Sequence, residues 1–420
     1  MAAADPVRDG QTALALRLVK HLAAADADAA AKNVAFSPVS IHAGLALVAA
    51  GAGSATRAQL LNFLGAPTAD GLAAFGRLVA DRVLADKAGS GGPRVLFGGG
   101  VWIDASRGGL NEAFKEVAAK SYKSETRTVS FTDEPEEAVE TINRWVKKAT
   151  NNLIDSMISR SDITADTDLV LANAVYFKGS WLDPFNVCHT SSGKFHLLDG
   201  SNVEAEFMHK LKTMSISCMD GFKVLKLPYG PDGEYEPAPG GLPYKIHRGP
   251  RATSVKTPLG DDATQFSMFV FLPDERDGMA TMVDVITAAP GYLYSVLPTE
   301  TKLVQINLPK FEVSLDWDLG SDLRRLGLTL PFSRKAGDLR GMYKKDDGRP
   351  TFLTKVAHKA IIKVNEEGTE ATAVMTALRG GGPMPDHVEF VADHPFTFII
   401  MEERSGVIVF AGHVLDPTCK

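Results

Sequence analysis

The sequence predicts a mixed α+β fold in one large domain, and three observations carry that prediction. The first third of the 420 residues is patterned for helices and the remainder mainly for strands, with no linker between them. With 45% hydrophobic residues the chain has ample material for a large core. Length alone suggests about two or three domains, yet helical and strand segments interleave without a break that would separate them. Close to the C-terminus, residues 364–393 read VNEEGTEATAVMTALRGGGPMPDHVEFVAD. This is a strand-like start that thins into small residues, glycines and prolines between two strongly apolar strand candidates, 359–364 and 396–401.

Taken in order, residues 12–24 place Leu14, Leu18 and Leu22 at helical spacing. They lack a continuous apolar run, so they read as an amphipathic helix rather than a signal peptide. Residues 38–50 form the next helix, with Ser37 as its N-cap and Pro38 at its first position. Shorter helices are expected at 56–64 and 71–84. The intervening GAGSAT, 51–56, follows no strand, so it reads as a helix-to-helix turn rather than a phosphate cradle. Residues 94–103 carry strand residues interrupted by Gly98, Gly99 and Gly100, and 136–148 form a helix with Val139, Ile142 and Val146 on one face. The run 168–177 is almost continuously apolar, which suits a strand buried on both faces at the centre of a sheet. After Trp181 come strands at 222–227, 265–272, 303–308 and 310–315, then a helix at 319–326 ended by Gly327. Between them, 229–264 is Pro/Gly-rich and has no usable periodicity, so a disordered surface insertion is expected. Its Lys245, His247, Arg248, Arg251 and Lys256 form a local basic cluster that reads as a solvated loop.

Composition excludes several function classes. A net charge of -6 and a pI near 6.0 argue against a nucleic-acid binder, and no stretch approaches a membrane-spanning length. Cys188, Cys218 and Cys419 are odd in number and widely spaced, which supports neither a disulfide framework nor a metal site, and no cofactor motif is present. The best nucleophile candidate, SSGK at 191–194, matches S-x-x-K by spacing but stands alone, without a G-x-S-x-G or HExxH element. An enzyme is therefore not expected. With no Asn-x-Ser/Thr acceptor, cytosolic residence is the default expectation.

In the segment near the C-terminus, Thr369, Ala371, Ala373, Met375 and Ala377 are small or apolar, whereas Glu370, Thr372 and Thr376 in the other register are polar. Val374 and Leu378 break the alternation. That is a strand with one buried face, but its Gly and Ala content would let it form only if a sheet received it on both edges. A flexible linker is the plainer alternative.

The motif NEEGTEA, the later FVADHPFTFII and GVIVFAGHVLDP, and upstream NVAFSPVSI, LANAVYFKGSW, LPKFEV and LGLTLPF together resemble the serpin family, closest to plant serpins. The resemblance spans nearly the whole chain. It implies a large central, mostly antiparallel sheet with surrounding helices, further sheets and an exposed reactive loop. It also implies suicide inhibition of a protease by a monomer, in which the cut loop inserts into the sheet as a new strand while still acyl-linked to the enzyme. By family correspondence the hinge is Glu366, Glu367, Gly368, Thr369, Glu370, Ala371, Thr372 and Ala373. Ser37, Ser40, Asn173 and His358 map to the shutter beneath the sheet, and Trp181 with Glu366 to the breach where insertion begins.

Arg379 is the one long charged side chain on the loop's exposed section, so Arg379-Gly380 is the expected bait for an Arg-selective serine or cysteine protease. The family's count of sixteen residues beyond the hinge glutamate instead lands on Gly382-Pro383. Cutting at Arg379 shortens the arm by three residues, about 10 Å. The alternative expectation is therefore a non-inhibitory binding or chaperone-like protein, or a cleaved substrate.

Overall fold

The computed structural model describes residues 5–25, 32–86, 93–164, 166–230, 235–236, 244–248, 254–258, 264–368 and 386–419. Helix α1 (Pro6–Ala25) buries Leu14 and Leu18 with Leu22 half-buried beside them, so the amphipathic spacing extends over a longer helix than expected. After β1 (Val34–Phe36), helix α2 (Pro38–Gly51) opens on Ser37, whose hydroxyl accepts the Ser40 N–H at 3.4 Å. Nearly every residue of α2 is buried, as its apolar, small-residue sequence requires. The GAGSAT stretch is the turn into α3 (Ser54–Phe63). The helix expected at 71–84 is α4 (Ala69–Leu78) continued by a π-helical turn at Val79–Val83.

Strand β2 (Arg94–Asp104) runs unbroken through its three glycines and is followed by α5 (Glu112–Tyr122), β3 (Ser124–Val129) and α6 (Pro135–Ala149). Gly98 is where α6 comes closest: a Cβ there would lie 2.9 Å from the Ala149 Cβ and 3.2 Å from the Trp145 ring. Strand β4 (Leu169–Lys178) is buried on both faces, as its composition predicts. Leu169, Leu171 and Val175 join the main core, while Val170, Ala172 and Ala174 join a second cluster under α6.

The chain continues through β5 (Ser180–Trp181), β6 (Ser191–His196), β7 (Asn202–Met219) and β8 (Phe222–Gly230). The long β7 has little apolar alternation to give it away, because few of its residues are buried and polar residues interrupt the apolar ones. Within 229–264, expected to lack regular structure, β9 (Tyr235–Glu236), β10 (Tyr244–Arg248) and β11 (Ser254–Pro258) pair as an antiparallel three-stranded sheet. The rest of the stretch after Gly230 and before Ala263 lies outside the described residues. Then follow β12 (Phe266–Pro273), α7 (Met279–Ile286), α8 (Pro290–Val296), β13 (Thr301–Pro309), β14 (Phe311–Asp318) and α9 (Gly320–Arg325). The last strands are β15 (Lys355–Val364), β16 (Val388–Val391), β17 (Phe396–Glu402) and β18 (Val407–Val414).

A ten-stranded sheet runs β1-β18-β17-β12-β8-β7-β13-β16, with β5 on β8 and β6 on β7, and only its β13·β16 pair is parallel. The five-stranded sheet has the order β14-β15-β4-β2-β3. There β15 is antiparallel to β14 but parallel to β4, from Lys355↔Val170 to Ile361↔Tyr176. Strand β2 is antiparallel to β4 and parallel to β3. No described helix is long and apolar enough to cross a membrane.

Candidate functional site: the seam between β4 and β15

The centre of the five-stranded sheet is a parallel seam that contains Asn173 and His358, with Ser37 and Ser40 beside it and Trp181 and Glu366 at one end. At its head, β15 ends at Val364 and the chain turns tightly. An isolated antiparallel bridge pairs Asn365 with Gly368, closing a turn over Glu366 and Glu367, with the Gly368 N–H donating to Asn365 O at 3.2 Å. The turn is held against the end of β4 and its continuation. The indole Nε1 of Trp181 donates to Asn365 O at 2.9 Å, the Trp181 N–H to Glu367 O at 3.0 Å, and the Phe185 N–H to Glu366 O at 2.7 Å. Trp181 is itself fixed by stacking on Tyr229, with centroids 4.5 Å apart and planes 18° from parallel.

Glu366 is the electrostatic anchor of this turn. Its side chain is 7% exposed; it accepts the Thr190 hydroxyl at 2.7 Å and lies 3.4 Å from Lys310 Nζ, which also pairs with Glu206 at 3.0 Å. Burial works against its charge, yet the Thr190 hydroxyl and the Lys310 ammonium hold its carboxyl below the usual range. Sequence reasoning did not single out Lys310, Thr190, Phe185 or Tyr229. Lys310 lies within the quoted LPKFEV, but nothing local to that motif links it to Glu366.

Halfway down the seam, His358 and Asn173 are register partners. The Ser37 N–H donates to His358 Nε2 at 3.1 Å, and the Ser40 hydroxyl donates to Ser37 O at 3.0 Å. Burial pulls the His358 imidazole down to about 3, so the ring is neutral and carries its hydrogen on Nδ1. That Nδ1 and the Asn173 Nδ2 are both buried without a hydrogen-bond partner. Asn173 is packed against α2, where a Cβ on Gly44 would lie 2.7 Å from its Nδ2. The structure thus brings Ser37, Ser40, Asn173 and His358 together, and Trp181 with Glu366 at the head.

Thr369, Glu370, Ala371, Thr372, Ala373, Arg379, Gly380, Gly382 and Pro383 lie outside the described residues. Ser191 and Lys194 are on β6, where a spacing of three sets side chains on opposite faces, so S-x-x-K chemistry has no geometric basis. Ser191 instead lies 2.8 Å from His209 Nε2 at an exposed position.

Comparison with known proteins agrees with this architecture. The profile of the family described as Serpin (serine protease inhibitor) matches residues 9–236 and 240–417. The chain is 42% identical to serpin-ZXA of Oryza sativa subsp. japonica, over 97% of this chain and 96% of that protein. It is 39% identical to serpin-Z2B of Triticum aestivum, over 97% of this chain and 95% of that one. Among solved structures it is similar to Arabidopsis AtSerpin1, described as in a native stressed conformation, with a TM-score of 0.83, 35% identity, and coverage of 99% of this chain and 100% of that one.

Proposed function

We propose a function from a plain premise: this chain belongs to the serpin family, a family of serine protease inhibitors. It acts as a suicide inhibitor of Arg-selective endopeptidases, of serine or cysteine type, with Arg379-Gly380 as the reactive bond. The nucleophile of the protease attacks the Arg379 carbonyl, the peptide bond to Gly380 breaks with release of the Gly380 amine, and an acyl bond joins Arg379 to the enzyme. Trapping requires the freed arm to become a strand between β4 and β15 before water hydrolyses that bond.

The observation that carries this reading is the seam itself. Its two strands are parallel, so an arm folding back from β15 runs antiparallel to both, replacing one parallel ladder with two antiparallel ones. The Asn365↔Gly368 bridge supplies a starting register. Continued, it sets Thr369, Ala371, Ala373, Met375 and Ala377 opposite Val364, Ile362, Ala360, His358 and Val356. All five partners are buried on the core side of β15, so the apolar half of the arm meets the core. Glu370 falls opposite Lys363. Ten residues make up β15, and an arm of eleven, 369–379, extends just past it to Thr354. Cleavage at Arg379 therefore leaves an arm matched to the seam in spite of the family's longer count. The small residues Thr369, Ala371, Thr372 and Ala373 suit the first step of insertion. The protein is read as a cytosolic monomer whose partner is the target protease.

The Gly-Gly-Gly-Pro run after Arg379 favours a second reading, a cleaved substrate without trapping. Incubation with a trypsin-like protease separates the two. The inhibitor gives a complex that survives denaturing electrophoresis, the nicked protein melts at a higher temperature than the intact one, and Arg379→Ala abolishes the complex. Clean cleavage with no complex and no gain in melting temperature refutes trapping.

A further inference from the structure

At the foot of the seam, opposite the hinge, one buried guanidinium joins three strand ends. Arg107 lies in the turn that follows β2, and its side chain is 4% exposed. Its Nε donates to both oxygens of Asp168, at 2.7 and 2.8 Å, and Asp168 immediately precedes β4. Its NH1 donates to both oxygens of Asp347, at 2.9 and 3.2 Å, and its NH2 to Pro350 O, both in the segment leading into β15. The guanidinium also lies over the Tyr343 ring, 5.2 Å from its centroid. Beside it the Thr354 N–H donates to Leu169 O at 3.1 Å and the Asp168 N–H to Thr354 Oγ1 at 3.1 Å, so the foot is closed by backbone and side chain together.

We propose that Arg107 is a latch that holds β4 and β15 together at the foot of the seam and must release the β15 side before a strand can be fully accommodated between them. The proposal rests on the insertion reading given above. Admitting one strand moves β4 and β15 from about 4.8 Å to about 9.6 Å apart. A rigid planar guanidinium cannot keep its fork on Asp168 and its NH1 on Asp347 through a displacement of that size. Because Arg107 follows β2, which stays paired with β4, the contacts that yield are those to Asp347 and Pro350. The latch resists the last part of insertion and leaves the hinge end free to open first.

The test uses Asp347→Asn, which weakens the half of the latch that crosses the seam, along with the half-exposed Arg349–Asp347 pair, and leaves the Arg107 contact with Asp168 in place. Amide exchange is followed by mass spectrometry on the intact protein. The Thr354 amide exchanges roughly tenfold faster in the variant, the cost of weakening one charge-assisted contact, while the Trp181 and Phe185 amides at the head keep their wild-type rates. Uptake of a synthetic peptide TEATAVMTALR by intact protein is also faster by roughly tenfold. Unchanged foot exchange, or a uniform increase over the whole sheet, overturns the latch. So does unchanged peptide uptake in a variant whose wild type takes the peptide. If the wild type takes up no peptide, it is the insertion reading that fails, and the exchange pattern still decides whether Arg107 latches the foot.

Discussion

Gly368 sits at φ +87°, and a Cβ placed on it would press on the backbone of Gly179, Ser180 and Trp181. Both features demand glycine, one for the left-handed conformation and one for space. Gly368→Ala should therefore strain the hinge turn and weaken the bonds from Trp181 to Asn365 and Glu367. We expect a loss of about 2 kcal/mol in urea unfolding, with a change in Trp181 fluorescence in the native state. A variant with wild-type stability and emission would mean that the turn is not built on this contact. The bait we propose belongs to the same scale. Arg379→Ala removes the guanidinium that an Arg-selective pocket pairs with, and leaves the seam untouched, so it separates recognition from insertion.

At the scale of elements, the five-stranded sheet is fixed in position by what lies on its two faces. Helix α2 fills the core side and α6 the other, where Trp102 and Trp145 meet edge to face at 4.6 Å. The close approach of α6 depends on Gly98, so Gly98→Val would push the helix off β2. Overpacking of this kind costs about 1–3 kcal/mol, read as a lower midpoint in urea with an unchanged slope. A neutral substitution would show that α6 tolerates a wider separation. In the proposed insertion, the fit of α6 across β2 and β4, the strands next to the seam, bears on how readily β4 moves from β15.

At the scale of the whole molecule, the buried imidazoles of His42, His358 and His413 link stability to pH. Burial holds His358 down to about 3, and His42 and His413 to about 4, against about 6.5 in an unfolded chain. The unfolded state therefore binds protons that the folded state refuses, and stability is complete above pH 6.5 and lost as pH falls toward 4. Carboxylates such as Glu366, held below their usual range, remain charged over this window. Unfolding free energy from urea titrations should drop between pH 7 and pH 5.5 by about 1 kcal/mol for each imidazole. A flat profile would show that these rings are not kept neutral in the folded state.

Much of the architecture is written locally. Ser37 and Pro38 announce α2, and the unbroken apolar run announces a central β4. The signals for α2 and β4 are legible because each is a short-range requirement of a helix start or a two-sided burial. The sparsely buried β7 and the short strands within 229–264 have no such signature, so only their pairing partners define them. The seam is also a long-range matter. Lys310 with Glu366, His358 beside Asn173 and Ser37, and Arg107 between Asp168 and Asp347 join segments up to 321 residues apart. Side-chain identity sets what each can bond. Which bonds form is decided by the sheet, because only the register of β4 against β15 brings those groups within reach.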